Sequence, residues 1–92
     1  MNAEDVQIKE VIALLERVVD GSLEAREALN RWPHFERLHI EKKKRKLLDR
    51  AWVQLQDYME DQDIRDREPE YGKQQRRYLL KKIHGLKILL YA

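Results

Sequence analysis

Residues 40–62 read IEKKKRKLLDRAWVQLQDYMEDQ. Apolar side chains recur in this stretch every three or four residues, and this spacing places them on one face of an α-helix. The stripe consists of Ile40, Leu47, Leu48, Ala51, Trp52, Leu55, Tyr58 and Met59. We therefore predict one long helix from about Glu36 to Gln62. Since no part of the chain carries a strand pattern, the fold is predicted to be all-α.

The C-terminal part of the chain carries a second long apolar stripe. It consists of Tyr71, Tyr78, Leu79, Ile83, Leu86, Leu89 and Leu90. The segment 61–69 interrupts the periodicity between the two stripes, and Pro69 suits the first turn of the following helix. Long helices that are joined by a short connection normally pack antiparallel. The sequence therefore predicts a helical hairpin in which Tyr71 lies near Asp61.

The apolar pattern of the N-terminal third of the chain predicts a helix from Glu4 to Val19, followed by a short helix. The first helix follows from the spacing of Ile8, Val11, Ile12, Leu15, Val18 and Val19, and Gly21 is a natural C-terminal stop. Ser22 is predicted to cap the start of the short helix, which Pro33 ends or bends. The predicted fold is a small antiparallel bundle of four helices in a single domain, residues 1–92, with two short N-terminal helices and a long C-terminal hairpin.

The composition argues against several classes of protein. The chain has 92 residues and no cysteine, which excludes disulfides and thiolate metal sites and favours the cytoplasm. Charged residues interrupt the first apolar stretch, so we predict no membrane span. No two of His34, His39 and His84 have the four-residue spacing of a helical zinc site, and Ser22 is the only serine. We therefore predict no metal, no cofactor and no enzymatic activity.

Charge alternates in blocks along the chain. The net charges of residues 1–30, 31–50, 51–70 and 71–92 are −4, +5, −5 and +6. In an antiparallel hairpin the basic blocks would meet at one end of the bundle, where acidic residues of the first helix such as Glu4 and Glu16 could cover them. The alternative occupant of this basic end is an anionic partner.

The candidate anion-binding residues lie at this basic end. They are Lys43, Lys44, Arg45, Lys46 and Arg50, with Lys81 and Lys87 facing them. Several lysine and arginine contacts to phosphate would give salt-sensitive binding without sequence specificity. The chain has no recognisable base-reading motif, however, so a solvated helix end is the competing explanation.

A second set of candidates consists of apolar residues that lie off the main stripes. These are Val53, Leu80 and Ile88. Clustered exposed apolar surface usually marks a contact with a partner, which here would be another protein or a second copy of the chain. We therefore interpret the sequence as a protein-interaction or regulatory module. The alternative function is non-specific binding of nucleic acid or other anions.

Two patterns resemble known proteins. The first runs Ala51-Trp52-x-x-Leu55-x-x-Tyr58-x-x-Asp61-x-Asp63-Ile64-Arg65, followed by Pro69-x-Tyr71 and Gln75. It resembles a pattern in small uncharacterised bacterial all-helical proteins and carries no activity with it. The second, from Leu14-Leu15 through Asp20-Gly21-Ser22-Leu23 to Trp32-Pro33, is similar to the first helical pair of small bacterial immunity-type proteins. That resemblance implies a module that acts by binding another protein.

Overall fold

Five α-helices make up the part of the chain that the structure describes. The computed structural model describes residues 3–34 and 40–91, and no strand occurs among them. The helices are α1 (Ala3–Val19), α2 (Ala25–Asn30), α3 (Lys42–Glu60), α4 (Gln62–Arg67) and α5 (Pro69–Tyr91). The predicted all-α class is confirmed.

The three long helices α1, α3 and α5 pack together, and α5 contacts both of the others. Tyr71 at the start of α5 bonds to Asp61 at the end of α3, so these two residues lie close together, as predicted. Lys87 near the end of α5 pairs with Glu16 of α1, and Lys44 near the start of α3 pairs with Glu4 of α1. The short helix α2 packs on α3, and α4 packs mainly on α5.

One hydrophobic cluster lies between these helices. Its buried members are Ile8, Val11, Ile12, Leu15, Val18, Ala25, Ala28, Leu48, Ala51, Leu55, Leu79, Ile83 and Leu86. Most come from the apolar stripes, and fully burying one leucine or isoleucine side chain contributes about 1.5–3 kcal/mol to folding. This cluster fixes the rotation of α3 and α5 about their axes, and it thereby decides which of their charged residues face solvent.

The prediction of four helices was wrong in two respects. The first helix has 17 residues, so it is one of three long helices rather than one of two short ones. The predicted interruption between the two C-terminal helices contains the short helix α4. No residue of α4 is buried, so the segment shows no apolar stripe from which a helix could be predicted.

Helix α3 begins later than the apolar pattern predicts. Its first residue is Lys42, and the backbone of Glu41 is extended rather than helical. The predicted start at Glu36 falls within residues 35–39, which lie outside the described residues, as does His39.

Ser22 does not cap α2, which begins after Glu24. Its backbone N–H instead donates to the Asp20 Oδ1 atom at 2.8 Å and to the Arg17 carbonyl at 2.9 Å. Gly21, at φ +84°, makes the left-handed turn that brings Ser22 back to the end of α1. The hydrogen bonds from Ser22 hold the pKa of the Asp20 carboxyl below its ordinary value.

Candidate interaction groove on α3

The solvent-facing side of α3 forms an open groove with one residue of α5. The groove has a volume of about 730 Å³. Seven residues of α3 line it, together with one lysine of α5: Lys42, Arg45, Lys46, Asp49, Arg50, Val53, Gln54 and Lys82. We call this surface the α3 groove.

The helical repeat explains why these residues share one surface. The lining positions of α3 are related by steps of three and four residues, so they lie on successive turns of the same side. Leu48, Ala51 and Leu55 are buried between these positions. Because they hold the opposite side of α3 against the core, the lining residues must face outward.

The α3 groove is strongly basic. Its lining contains five cations and one carboxylate, that of Asp49. Within residues 3–34 and 40–91, no carboxylate lies within 4.0 Å of Lys42, Lys46, Arg50 or Lys82. The charges of these four residues are therefore not neutralised by direct ion pairs within the described part of the chain.

The basic residues at the start of α3 do not stabilise that helix. The first turn contains no acidic residue, and the Glu41 side chain makes no capping hydrogen bond. The N-terminal end of a helix carries partial positive charge, and a cation there typically destabilises it by about 0.3–1 kcal/mol. Local helix stability therefore does not explain the basic run, the five consecutive residues from Lys42 to Lys46. An acidic occupant would offset both the charge of these side chains and the partial charge of the helix end.

Three of the predicted anion-binding residues line the groove: Arg45, Lys46 and Arg50. Lys44 points the other way, and its Nζ atom lies 2.9 Å from the Glu4 Oε1 atom of α1. This ion pair with Glu4 raises the pKa of Lys44 above its ordinary value. Glu4 of the first helix thus pairs with one of these lysines, in line with the first of the two alternatives that the charge pattern left open.

The remaining predicted cations lie away from the groove lining. The Lys87 Nζ atom is 3.5 Å from the Glu16 Oε2 atom on the α1 side of α5. Lys81 is exposed, and its Nζ atom lies 5.8 Å from the centre of the Tyr78 ring. Lys43 is exposed in the first turn of α3.

The candidate residues predicted from the sequence do not include four residues of the groove: Lys42, Asp49, Gln54 and Lys82. The four-residue steps from Lys42 to Lys46 and Arg50 could have identified the first of them. Lys82 lies on α5, and its place in the groove depends on how that helix packs against α3.

The predicted apolar contact residues divide between two helices. Val53 lies in the α3 groove and is 52% exposed. Leu80 and Ile88 are 49% and 53% exposed, and both lie on α5. Of these three residues, Val53 alone lines the α3 groove, where it lies among charged residues of α3.

A separate polar cluster joins α3, α4 and α5. The Arg65 Nη1 atom donates to the Tyr58 carbonyl and, at 2.8 Å, to the Gln75 Oε1 atom. The Gln75 Nε2 atom donates to the Asp61 Oδ2 atom at 3.0 Å, and the same oxygen accepts from Tyr71 at 2.7 Å. The Arg65 guanidinium also lies 3.6 Å from the centre of the Tyr58 ring.

This polar cluster has a structural role. Gln75 is 4% exposed, and both ends of its amide are bonded within the cluster. Gly72 lies beside this cluster: a Cβ atom added there would be 3.2 Å from the Arg76 Nη1 atom and in ordinary van der Waals contact, at 3.7 Å, with the Arg65 Cγ and Cδ atoms. Several residues of the sequence pattern that runs from Ala51 to Gln75 meet here, so that pattern corresponds to the junction of three helices.

The described residues offer no evident metal site and no membrane-crossing helix. No group of three or more histidine, aspartate or glutamate side chains among them is arranged to hold a metal ion. None of the described helices is long and apolar enough to cross a membrane.

No protein family matches this chain, and no curated protein or solved structure matches it either.

Proposed function

We propose that this protein is a protein-interaction module that binds an acidic segment of a partner protein along the α3 groove. The observation that supports the proposal is the combination of a basic lining with the exposed apolar side chain of Val53. Burying Val53 against a partner would add apolar contact, and the surrounding cations would favour acidic partners. A regulatory or immunity-type protein is one kind of protein-interaction module, because such a protein acts by binding to its partner.

Binding of nucleic acid is the second candidate, and the five cations of the groove favour it. Proteins that bind single strands usually add aromatic side chains on which bases stack. Among residues 3–34 and 40–91, those that line the groove include no aromatic side chain. Phosphate contacts would also leave Val53 without an apolar partner, so a protein segment accounts for more of the surface.

Site-specific photocrosslinking tests the proposal. Benzoylphenylalanine replaces Val53 in the groove, and in a control protein it replaces Arg26, which is exposed on α2. We expect a discrete protein adduct from position 53 that survives nuclease treatment and is missing from position 26. The substitutions K46E and R50E should remove the adduct.

Two outcomes would contradict the proposal. If position 53 gives no protein adduct, the groove is not a protein-binding surface. If the adduct contains nucleic acid and disappears with nuclease, the second candidate function takes its place. In that case binding should weaken by orders of magnitude between low and moderate salt.

A further inference from the structure

The exposed side of α3 changes sign at its midpoint. Lys46 and Arg50 precede Val53, and Asp57 and Glu60 follow it; all five side chains are exposed. Successive members of this set are separated by four, three, four and three residues. This alternation keeps them on one narrow line along the helix, as in the contact seam of a helix pair. We call these five residues the α3 seam.

We propose that the partner of the α3 groove is a second copy of this chain, which packs α3 antiparallel against α3 about a twofold axis at Val53. The inference rests on the proposed function because it names the partner for the same groove. In sequence, Val53 is the midpoint of Lys46 and Glu60, and the midpoint of Arg50 and Asp57 lies between Val53 and Gln54. A twofold axis at Val53 therefore places each cation of one copy opposite a carboxylate of the other, to within one residue.

Only the antiparallel arrangement is complementary. In a parallel pair, Lys46 would face Lys46 and Glu60 would face Glu60, and like charges repel. The antiparallel pair also opposes the two helix dipoles favourably, because the N-terminal end of each helix lies beside the C-terminal end of the other. Val53 meets its own copy at the centre, where it loses its contact with water. The same patch serves both copies, as an isologous dimer requires.

The energetics predict a weak, salt-sensitive dimer. A single pair of helices buries less surface than the standard interface, and interfaces below about 1,200 Å² are typically transient. Exposed ion pairs contribute little individually and are screened by salt. The association should therefore be detectable at high protein concentration and low ionic strength.

Sedimentation equilibrium of the full chain is the first test. At about 50 mM NaCl the average mass should rise with protein concentration toward that of a dimer, and at about 500 mM NaCl it should remain that of a monomer. A monomer at every concentration in low salt would overturn the dimer. The proposed function would survive that result if position 53 still gave an adduct with a different protein.

Reversing the side-chain charges along the α3 seam is the decisive test of the dimer. The variant K46E/R50E carries an acidic seam throughout, and the variant D57K/E60K carries a basic one. We expect each variant alone to associate at least about tenfold more weakly than the unaltered chain, because like charges then face each other. An equimolar mixture of the two should recover association, since the acidic and basic seams are complementary.

A matched control is available on α5. The variant R77E/K81E makes the same change in net charge at two exposed positions away from the seam, and it should associate like the unaltered chain. Circular dichroism establishes that each variant remains helical. If K46E/R50E still associates like the control, or if the mixture of seam variants does not associate, the proposed dimer is wrong.

Discussion

The Tyr71 hydroxyl donates a 2.7 Å hydrogen bond to the Asp61 carboxylate, and this bond joins the first turn of α5 to the end of α3. The same carboxylate oxygen accepts from the Gln75 amide at 3.0 Å. The bond to Asp61 raises the pKa of the Tyr71 hydroxyl above its ordinary value, and partial burial adds to the effect. The junction between the two helices therefore contains a titratable pair.

Removing the Tyr71 hydroxyl should change how stability depends on pH. The folded protein holds the phenolic proton more tightly than the unfolded chain does, so the stabilisation is complete below the ordinary tyrosine pKa of 10.0 and is lost as pH rises through the folded pKa. We expect Y71F to be less stable than the unaltered protein at pH 8, with the difference shrinking at high pH. Urea unfolding of both proteins at pH 8 and at high pH measures the difference in their free energies of unfolding. A difference that does not change with pH would contradict the prediction.

Gln75→Leu should destabilise the protein by about 1–3 kcal/mol, because it removes the partners of two polar groups that remain partly buried. The groups left without this amide are the Arg65 guanidinium and the Asp61 carboxylate. Chemical denaturation gives the free energy of unfolding. The control is Gln74→Leu on the exposed side of the same helix, where the amide bonds to the Tyr78 hydroxyl. Equal losses at the two positions would show that the polar cluster contributes nothing.

Two glycines should respond to alanine with opposite signs. No heavy atom would lie within 4 Å of a Cβ atom added at Gly85 within α5, so G85A should stabilise the protein by about 0.5–1 kcal/mol. Gly21 has φ +84°, and G21A should destabilise by about 1–2 kcal/mol because an L side chain is strained there. Thermal unfolding of both variants tests the pair, and effects of the same sign would refute the structural account.

Lys44→Met should destabilise the protein, whereas Lys43→Met should not. Lys44 pairs with the partly buried Glu4, and Lys43 is exposed. The pKa of Lys44 is raised in the folded state, so this contribution is present below the ordinary lysine value of 10.5 and is lost as pH rises through the folded pKa. A double-mutant cycle with Glu4→Gln at neutral and at strongly alkaline pH measures the coupling. No coupling at neutral pH would mean that the pair does not stabilise the fold.

The sequence predicts the long helices because their apolar stripes are regular. The spacing of Leu48, Ala51 and Leu55 correctly predicts the buried side of α3, and Tyr71 lies beside Asp61 as expected. Helix α4 could not be predicted in this way because none of its residues is buried. It packs on α5, and Arg65 bonds to Gln75 of that helix. Tertiary contacts of this kind leave no periodic signal.

The candidate site was predictable only in part. The run of five basic residues is visible in the sequence, but consecutive residues of a helix point in different directions. The apolar stripe indicates that Lys44 faces inward, yet the sequence alone does not show that Glu4 lies across from it. Lys82 joins the groove from another helix. The seven-residue spacing of the α3 seam is present in the sequence, but the exposure of its five side chains depends on how α3 packs.

The uncapped, basic first turn of α3 has a consequence for dynamics. Backbone amides at Lys42, Lys43 and Lys44 lack both a capping side chain from Glu41 and an acidic residue in the turn, so this turn should open more often than the centre of α3 and exchange its amide hydrogens faster. Any acidic group that binds here therefore also suppresses local opening. Part of its binding free energy is then used to order the turn, and slower hydrogen exchange at these three residues becomes a direct measure of occupancy.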